Sequence, residues 1–100
     1  MRESAVERKL VKGLRDMGCE ALKFVSPGHS GVPDRIVFTP WGQIYFAELK
    51  QKSGALSPAQ GAWIHRHREH FKTKVWVLYG PEDVEEFLRY VSREAARYEV

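Results

Sequence analysis

The sequence has little of several features that define whole classes of protein. Cys19 is its only cysteine, which excludes an internal disulfide, a thioredoxin-type CxxC pair and a zinc site built from several cysteines. No apolar run approaches the roughly 18 residues of a membrane-spanning helix. The start of the chain also lacks the basic-then-apolar order of a signal peptide. We therefore expect a soluble protein of a reducing intracellular compartment, with no membrane partner.

What is present is an ordinary globular composition. Of 100 residues, 43% are hydrophobic and 29% are charged, which excludes a disordered chain and suits one domain that spans residues 1–100. The formal net charge is +3 at pH 7. This small basic excess is compatible with a polyanionic partner but does not identify one.

Hydrophobic spacing and turn residues predict a chain in which helices and strands alternate. Gly18 provides the left-handed end of a first helix, and Ser57 with Gln60 forms the capping box of a second. The glycines and proline of residues 27–31 predict an exposed loop. The order is helix, three strands, helix, strand, helix, over residues 3–17, 20–26, 35–39, 44–50, 58–70 and 74–79, with Val84, Phe87, Leu88 and Val91 in the last helix.

The residues that could carry chemistry cluster on the predicted hairpin of residues 35–50. Because strand side chains alternate, Glu48 and Lys50 project from the same face, and the turn at residues 40–43 brings Asp34 to the Glu48 end. Two carboxylates this close repel each other unless a divalent cation lies between them, and oxygen ligands suit Mg²⁺ or Mn²⁺. The alternative is a simple ion pair between Glu48 and Lys50 on a solvated face of the sheet.

The first helix offers a third carboxylate. At about 100° per residue, Glu3 falls near the centre of the apolar stripe that includes Val6 and Leu10. Glu7 lies about 40° from that centre. We prefer Glu3 and take Glu7 as the second choice. The alternative role for both is to complement the positive end of the helix dipole.

Together these residues resemble the virus-type replication-repair nuclease domain, VRR-NUC, a branch of the PD-(D/E)XK nuclease superfamily. Pro33-Asp34 and Glu48-Leu49-Lys50 match the superfamily signature. The resemblance implies an α/β fold with a restriction-endonuclease-like core, in which helices flank a mixed central sheet. The branch is indicated by the ordered set Gly31-Val32-Pro33-Asp34-Arg35, Phe46-Ala47-Glu48-Leu49-Lys50 and Leu56-Ser57-Pro58-Ala59-Gln60, preceded by Glu3, over about residues 3–88.

The resemblance also implies a role for each matched residue. Asp34, Glu48 and the backbone carbonyl of Leu49 would bind Mg²⁺ or Mn²⁺, and Glu3 would contribute through a water molecule. Lys50 would position or activate the attacking water and stabilise charge on the phosphate. This division of work suits phosphodiester hydrolysis, in which the protein mainly positions groups and stabilises charge.

The surrounding residues suit contacts with nucleic acid. Gln60 matches the family's glutamine and would hydrogen-bond the attacking water or the scissile phosphate; the capping box alone is the alternative role for it. Trp41 in the hairpin turn is expected to be exposed enough to stack on a base or a partner, whereas Phe71 is expected in the core. The expected phosphate contacts are Lys23, His29, Arg35, Lys52 and the cluster 65–70, which includes Arg66 and is alternatively only a solvated helix face.

The leading interpretation is a metal-dependent DNA endonuclease. The resemblance implies structured or branched DNA, such as a four-way (Holliday) junction or a flap, and a role in DNA repair. It also implies a viral or prophage origin, and hence the cytoplasm of a bacterial host. Symmetric cleavage of a junction requires two active sites, so we expect a homodimer. The alternatives are a non-catalytic nucleic-acid-binding module and a protein-interaction domain on the same fold.

Overall fold

The structure, a computed structural model, describes residues 4–98, whose helices and strands follow the predicted order. The first strand ends at Lys23 rather than at residue 26. No helix within the described range is both long and apolar enough to cross a membrane. The elements are α1 (Ala5–Asp16), β1 (Glu20–Lys23), β2 (Arg35–Phe38), β3 (Ile44–Lys50), α2 (Pro58–Glu69), β4 (Lys74–Tyr79) and α3 (Gly80–Arg97).

The four strands form one mixed sheet in the order β1-β2-β3-β4. β2 pairs antiparallel with both β1 and β3, whereas β3 and β4 pair parallel. Parallel neighbours require a crossover connection rather than a tight turn, and α2 provides it. The predicted α/β class and mixed sheet are confirmed.

The ends of the helices are set by local side-chain chemistry. Ser4 caps α1: its Oγ accepts a hydrogen bond from the backbone N of Glu7 (3.1 Å), and Glu7 Oε1 accepts one from the backbone N of Ser4 (3.4 Å). Ser57 and Gln60 form the same reciprocal pair at the start of α2, at 3.1 and 2.8 Å, so the predicted capping box is confirmed. After α1, Gly18 has φ +81°, a left-handed conformation that glycine adopts without strain.

Helices α1 and α3 cover one face of the sheet and form the main core with it. They approach closely at Gly13, where a Cβ atom would lie 2.6 Å from Cδ1 of Leu88. The alternation of β3 directs Tyr45 and Ala47 to this face, where both are fully buried. The core comprises Leu10, Leu14, Cys19, Val37, Tyr45, Ala47, Leu78, Val84, Phe87 and Val91.

Helix α2 covers the opposite face. Its Trp63 packs against Phe46 of β3 with 5.5 Å between ring centroids, and Phe24 contacts both rings. Glu48 follows Phe46 by two residues and therefore shares this face, as the alternation predicted. The sheet thus separates an apolar core on one side from a face on which an acid projects towards α2.

Candidate active site

Asp34 lies immediately before β2, at the end of the hairpin. Arg35 pairs with Ala47, so the same register, extended by one residue, sets Asp34 opposite Glu48. The Oδ2 atom of Asp34 accepts a hydrogen bond from the backbone N of Leu49 (2.8 Å). The predicted approach of the two carboxyl groups is therefore confirmed, and it follows from strand register.

Glu48 is a buried acid on an otherwise apolar strand. It is only 2% exposed. Its Oε2 accepts a hydrogen bond from Nε2 of Gln60 (3.1 Å), and the Nζ of Lys50 lies 3.5 Å from the same oxygen. The other oxygen, Oε1, is buried and has no hydrogen-bond partner among the described residues. The alternative of an ion pair between Glu48 and Lys50 on a solvated face is therefore wrong about the face: the pair forms, but α2 covers Glu48.

This environment penalises the charged form of the Glu48 carboxyl group. Burial, and after it the negative charge of Asp34, raise the pKa of Glu48 from 4.5 to about 7, although the Lys50 ammonium opposes the rise. The protein thus holds an acid that is poorly compensated by its own side chains. A buried, raised-pKa acid beside a second acid is typical of a functional site.

The stability of the metal-free protein should depend on pH through Glu48. Without metal, the folded chain retains the Glu48 proton up to about pH 7, whereas the unfolded chain releases it near pH 4.5. The free energy of unfolding should therefore fall as pH rises between these values, by up to about 3 kcal/mol from this group. Glu48→Gln removes the titration, so at pH 8 in EDTA the variant should be more stable than the wild type, as measured by urea unfolding.

A matched control is Glu85→Gln. Glu85 is exposed and paired with Lys9 (2.7 Å), which lowers its pKa instead of raising it. This variant should not gain stability as pH rises. A stability gap between wild type and Glu48→Gln that stays constant from pH 4 to pH 8 would contradict the assignment.

Gln60 has the capping-box role that the sequence offered, and it also contacts Glu48. Its Oε1 completes the capping box with Ser57, and its Nε2 holds Glu48. The loop before Asp34 packs against the same helix start: Gly31 has φ +83°, and a Cβ there would lie 2.9 Å from the backbone N of Gln60. Only glycine fits this approach. The contact between Gln60 and Glu48 was not predicted. The sequence signal that could have indicated it is the position of Gln60 in the first turn of α2.

A cleft of about 760 Å³ opens beside the carboxyl pair. Asp34, Leu49 and Lys50 line it, and so do Lys23 and Lys52, two of the predicted phosphate contacts. Lys50 is about one-fifth exposed, whereas Lys52 is largely exposed. The cleft therefore presents three ammonium groups close to the carboxylate of Asp34.

The carboxyl pair fits a hard divalent cation. The unpartnered Glu48 Oε1 is the kind of buried oxygen that a cation satisfies, and Asp34 brings a second carboxylate to the same place. No cluster of three or more histidine, cysteine, aspartate or glutamate side chains with metal-binding geometry occurs within residues 4–98. A protein site for Mg²⁺ or Mn²⁺ does not require one, since these ions retain several waters and use few carboxylates.

Of the two glutamates proposed on the first helix, the structure describes only Glu7. Glu3 lies outside the described residues. Glu7 lines the same cleft as Asp34, but its carboxylate already accepts from Ser4 and pairs with Arg35 (3.4 Å). Glu7 therefore has a clear structural role at the mouth of the cleft.

Arg35 lines the cleft, but it is less available as a phosphate contact than expected, because its guanidinium is held by contacts within the protein. It is 5% exposed and lies on the face covered by α1, where NH2 pairs with Glu7 and NH1 donates to the carbonyl of Ala21 (3.4 Å). A buried, ion-paired guanidinium cannot reach a phosphate without losing these contacts. His29 is exposed in its loop, next to Ser26 (3.3 Å), and does not line the cleft.

Two aromatic residues also differ from expectation. Trp41 was expected to be free to stack, but it stacks on Tyr98 with parallel rings at 6.1 Å and packs against the core. Phe71 was expected in the core and is 50% exposed, beside Arg66 at the end of α2. Local hydrophobicity does not reveal either arrangement, because both depend on how the helix ends pack.

Comparison with known proteins supports a nuclease. No family model matches the chain. It is 47% identical over 70 residues to "Putative nuclease p44" of Acyrthosiphon pisum secondary endosymbiont phage 1, covering 70% of this chain and 69% of that protein. The fold is similar to a solved structure described as a VRR_NUC domain, with a TM-score of 0.79 and 26% identity over 84% of this chain and 90% of that one. These matches confirm the resemblance and the restriction-endonuclease-like fold, and the chain therefore belongs to the VRR-NUC family of nucleases.

Proposed function

We propose that this chain hydrolyses phosphodiester bonds in structured or branched DNA and requires Mg²⁺ or Mn²⁺. The observation that carries the proposal is the carboxyl pair, in which a buried Glu48 oxygen without a partner lies beside Asp34 at the edge of a cleft. A site that only bound DNA would gain nothing from two acids placed there, since they repel phosphates. The arrangement favours catalysis over simple binding.

The cation would be held by the carboxylates of Asp34 and Glu48 and by the backbone carbonyl of Leu49, with Glu3 contributing through water. When bound, such an ion polarises the phosphoryl oxygen and makes a nearby water more acidic. The hydrogen bond from Gln60 keeps Glu48 oriented. The free-energy cost of burying the Glu48 carboxylate would then be offset by its interaction with the cation.

The lysine side chains that line the cleft would act on the attacking water and on the DNA phosphates. The Lys50 ammonium is partly exposed and lies 3.5 Å from Glu48, so it can orient a water molecule and stabilise negative charge as it develops on the phosphate. Lys23 and Lys52 line the same cleft and are placed to bind the DNA backbone. Gln60 acts as a positioning residue for Glu48 and through it affects the reaction.

We also propose a preferred substrate, the four-way junction, and an oligomeric state. A domain of 100 residues covers little duplex, and symmetric cleavage of a four-way junction needs two such sites, so we favour a homodimer. The similarity to a phage nuclease favours action on DNA inside a bacterial host.

The experiment is a cleavage panel with one sequence presented as linear duplex, hairpin, flap and four-way junction. We expect cleavage with Mg²⁺ or Mn²⁺ and none in EDTA, with junction or flap cut faster than linear duplex. Sedimentation of the same preparation reports the oligomeric state. Cleavage in EDTA would contradict the metal requirement, and equal cleavage of all four substrates would contradict the structural preference.

A further inference from the structure

The net charge of the chain is concentrated at one end of α2. Residues 65–74 contain four basic residues and one acid. Their net charge of +3 equals that of the whole chain, so the other 90 residues are neutral overall. Three of the four histidines lie in the same segment. This uneven distribution of charge favours binding of a polyanion at this segment and not across the whole surface.

An exposed aromatic ring lies within this basic segment. Phe71 follows α2 directly and is 50% exposed. The guanidinium carbon of Arg66 lies 5.4 Å from the centre of its ring, and the His70 ring meets it edge-on at 4.7 Å. Lys72 has φ +55° and its Nζ donates to the carbonyl of Glu69 (2.6 Å). These contacts hold the end of the helix around a ring that remains half exposed.

The ring is also anchored to the sheet through a column of aromatic side chains. Phe46 packs on Trp63 (5.5 Å), Trp63 stacks on His67 (3.6 Å), and His67 contacts Phe71 (5.1 Å between ring centroids). The Nδ1 of His67 hydrogen-bonds the carbonyl of Trp63 (2.8 Å). Because the column is already packed, a ligand stacking on Phe71 would lose little additional side-chain entropy.

We propose that Phe71, with Arg66 beside it, is a stacking site for a nucleobase of single-stranded DNA. The proposal rests on the nuclease function above and specifies a part of its substrate. Aromatic rings that bind single strands sit among cations that hold the backbone, and each stacked base contributes about 1–3 kcal/mol. A base inside a duplex is already stacked on its neighbours, so the exposed ring suits an unpaired strand.

The position of the site relative to the carboxyl pair follows from the helix. Gln60, in the first turn of α2, contacts Glu48, and Phe71 lies eleven residues further along the chain. At 1.5 Å per residue, the helical stretch from Gln60 to the end of α2 at Glu69 spans about 14 Å, and Phe71 lies two residues beyond it. A strand that kept the 3.4 Å spacing of duplex DNA would cross this helical stretch in about four nucleotides. The site would therefore hold unpaired DNA a few nucleotides from the cleaved bond.

The experiment measures binding without cleavage. Fluorescence anisotropy in EDTA, with a labelled oligothymidine of about 15 nucleotides, compares wild type with Phe71→Ala and Phe71→Leu. We expect Phe71→Ala to bind about fivefold to a hundredfold more weakly, with Phe71→Leu also weakened, because leucine restores apolar volume but not stacking. Phe38→Ala is the control, since Phe38 is 39% exposed on β2 and has no part in the site; it should bind as the wild type does.

A second readout locates the strand directly. An oligonucleotide that carries 5-iodouracil should crosslink within residues 65–74, as identified by mass spectrometry. Unchanged affinity in both Phe71 variants, an equal loss in Phe38→Ala, crosslinks only elsewhere, or no binding of the strand would each overturn the inference. Since neither readout requires cleavage, failure here leaves the nuclease proposal intact, and failure of that proposal would appear in the cleavage panel.

Discussion

Asp34→Asn and Glu48→Gln should each lower DNA cleavage at least about a thousandfold and leave the fold intact. Each variant replaces one carboxylate that we propose as a metal ligand by an amide of the same shape, so the hydrogen bonds from Leu49 and Gln60 can still form. Loss of a bound divalent cation forfeits several kcal/mol of transition-state stabilisation, and about 4 kcal/mol corresponds to a thousandfold in rate. Single-turnover cleavage of the preferred substrate measures the effect, and circular dichroism monitors the fold.

Two acids outside the cleft provide matched controls. Asp16 pairs with Lys12 on α1 and Glu85 pairs with Lys9, and all four side chains are well exposed. Asp16→Asn and Glu85→Gln change the net charge by the same amount as the active-site variants. Both should cut at close to the wild-type rate. Cleavage at the wild-type rate by either active-site variant would contradict a role for the carboxyl pair in the reaction.

Lys50→Ala should bind DNA almost as well as the wild type but cut it about a hundredfold more slowly. The ammonium lies beside Glu48 and is only partly exposed, so it acts mainly where charge develops during the reaction and is one phosphate contact among several. Single-turnover rate and affinity should be measured on the same preparation. A cleavage rate that falls much more than the DNA affinity indicates an enzyme and not a binding module.

The control for Lys50 is Lys12→Ala. Lys12 carries the same charge on the exposed surface of α1 and pairs with Asp16 at 2.8 Å. It should change neither rate nor affinity by more than about twofold, because an exposed pair of this kind contributes little. A fall in affinity as large as the fall in rate for Lys50→Ala would favour the binding module instead.

The hairpin and its carboxyl pair could be predicted because they depend on local rules. Strand alternation fixes the face of Glu48, and the short turn fixes the register that sets Asp34 opposite it. Ser57 and Gln60 likewise predicted the start of α2, because a capping box depends only on two residues that are three apart in the sequence. These features carry most of the candidate site.

The burial of Arg35 and the exposure of Phe71 depend on tertiary packing. Helices cover both faces of the sheet, so alternation alone could not show that Arg35 faces α1 and meets Glu7. Phe71 is apolar, and its sequence neighbours gave no sign that α2 ends at Glu69 and leaves the ring outside the core. In both cases the outcome is set by where a helix ends and what it packs against, which a local pattern does not contain.

Calorimetric titration of Mn²⁺ into the metal-free protein tests whether Asp34 and Glu48 form a divalent-cation site. The wild type should bind Mn²⁺ at pH 8 and bind it more weakly at pH 5, because protonation of the carboxylates competes with the metal. Asp34→Asn and Glu48→Gln should each lose most of this binding, whereas Glu85→Gln should keep it. No Mn²⁺ binding by the wild type, or undiminished binding by both active-site variants, would contradict the claim.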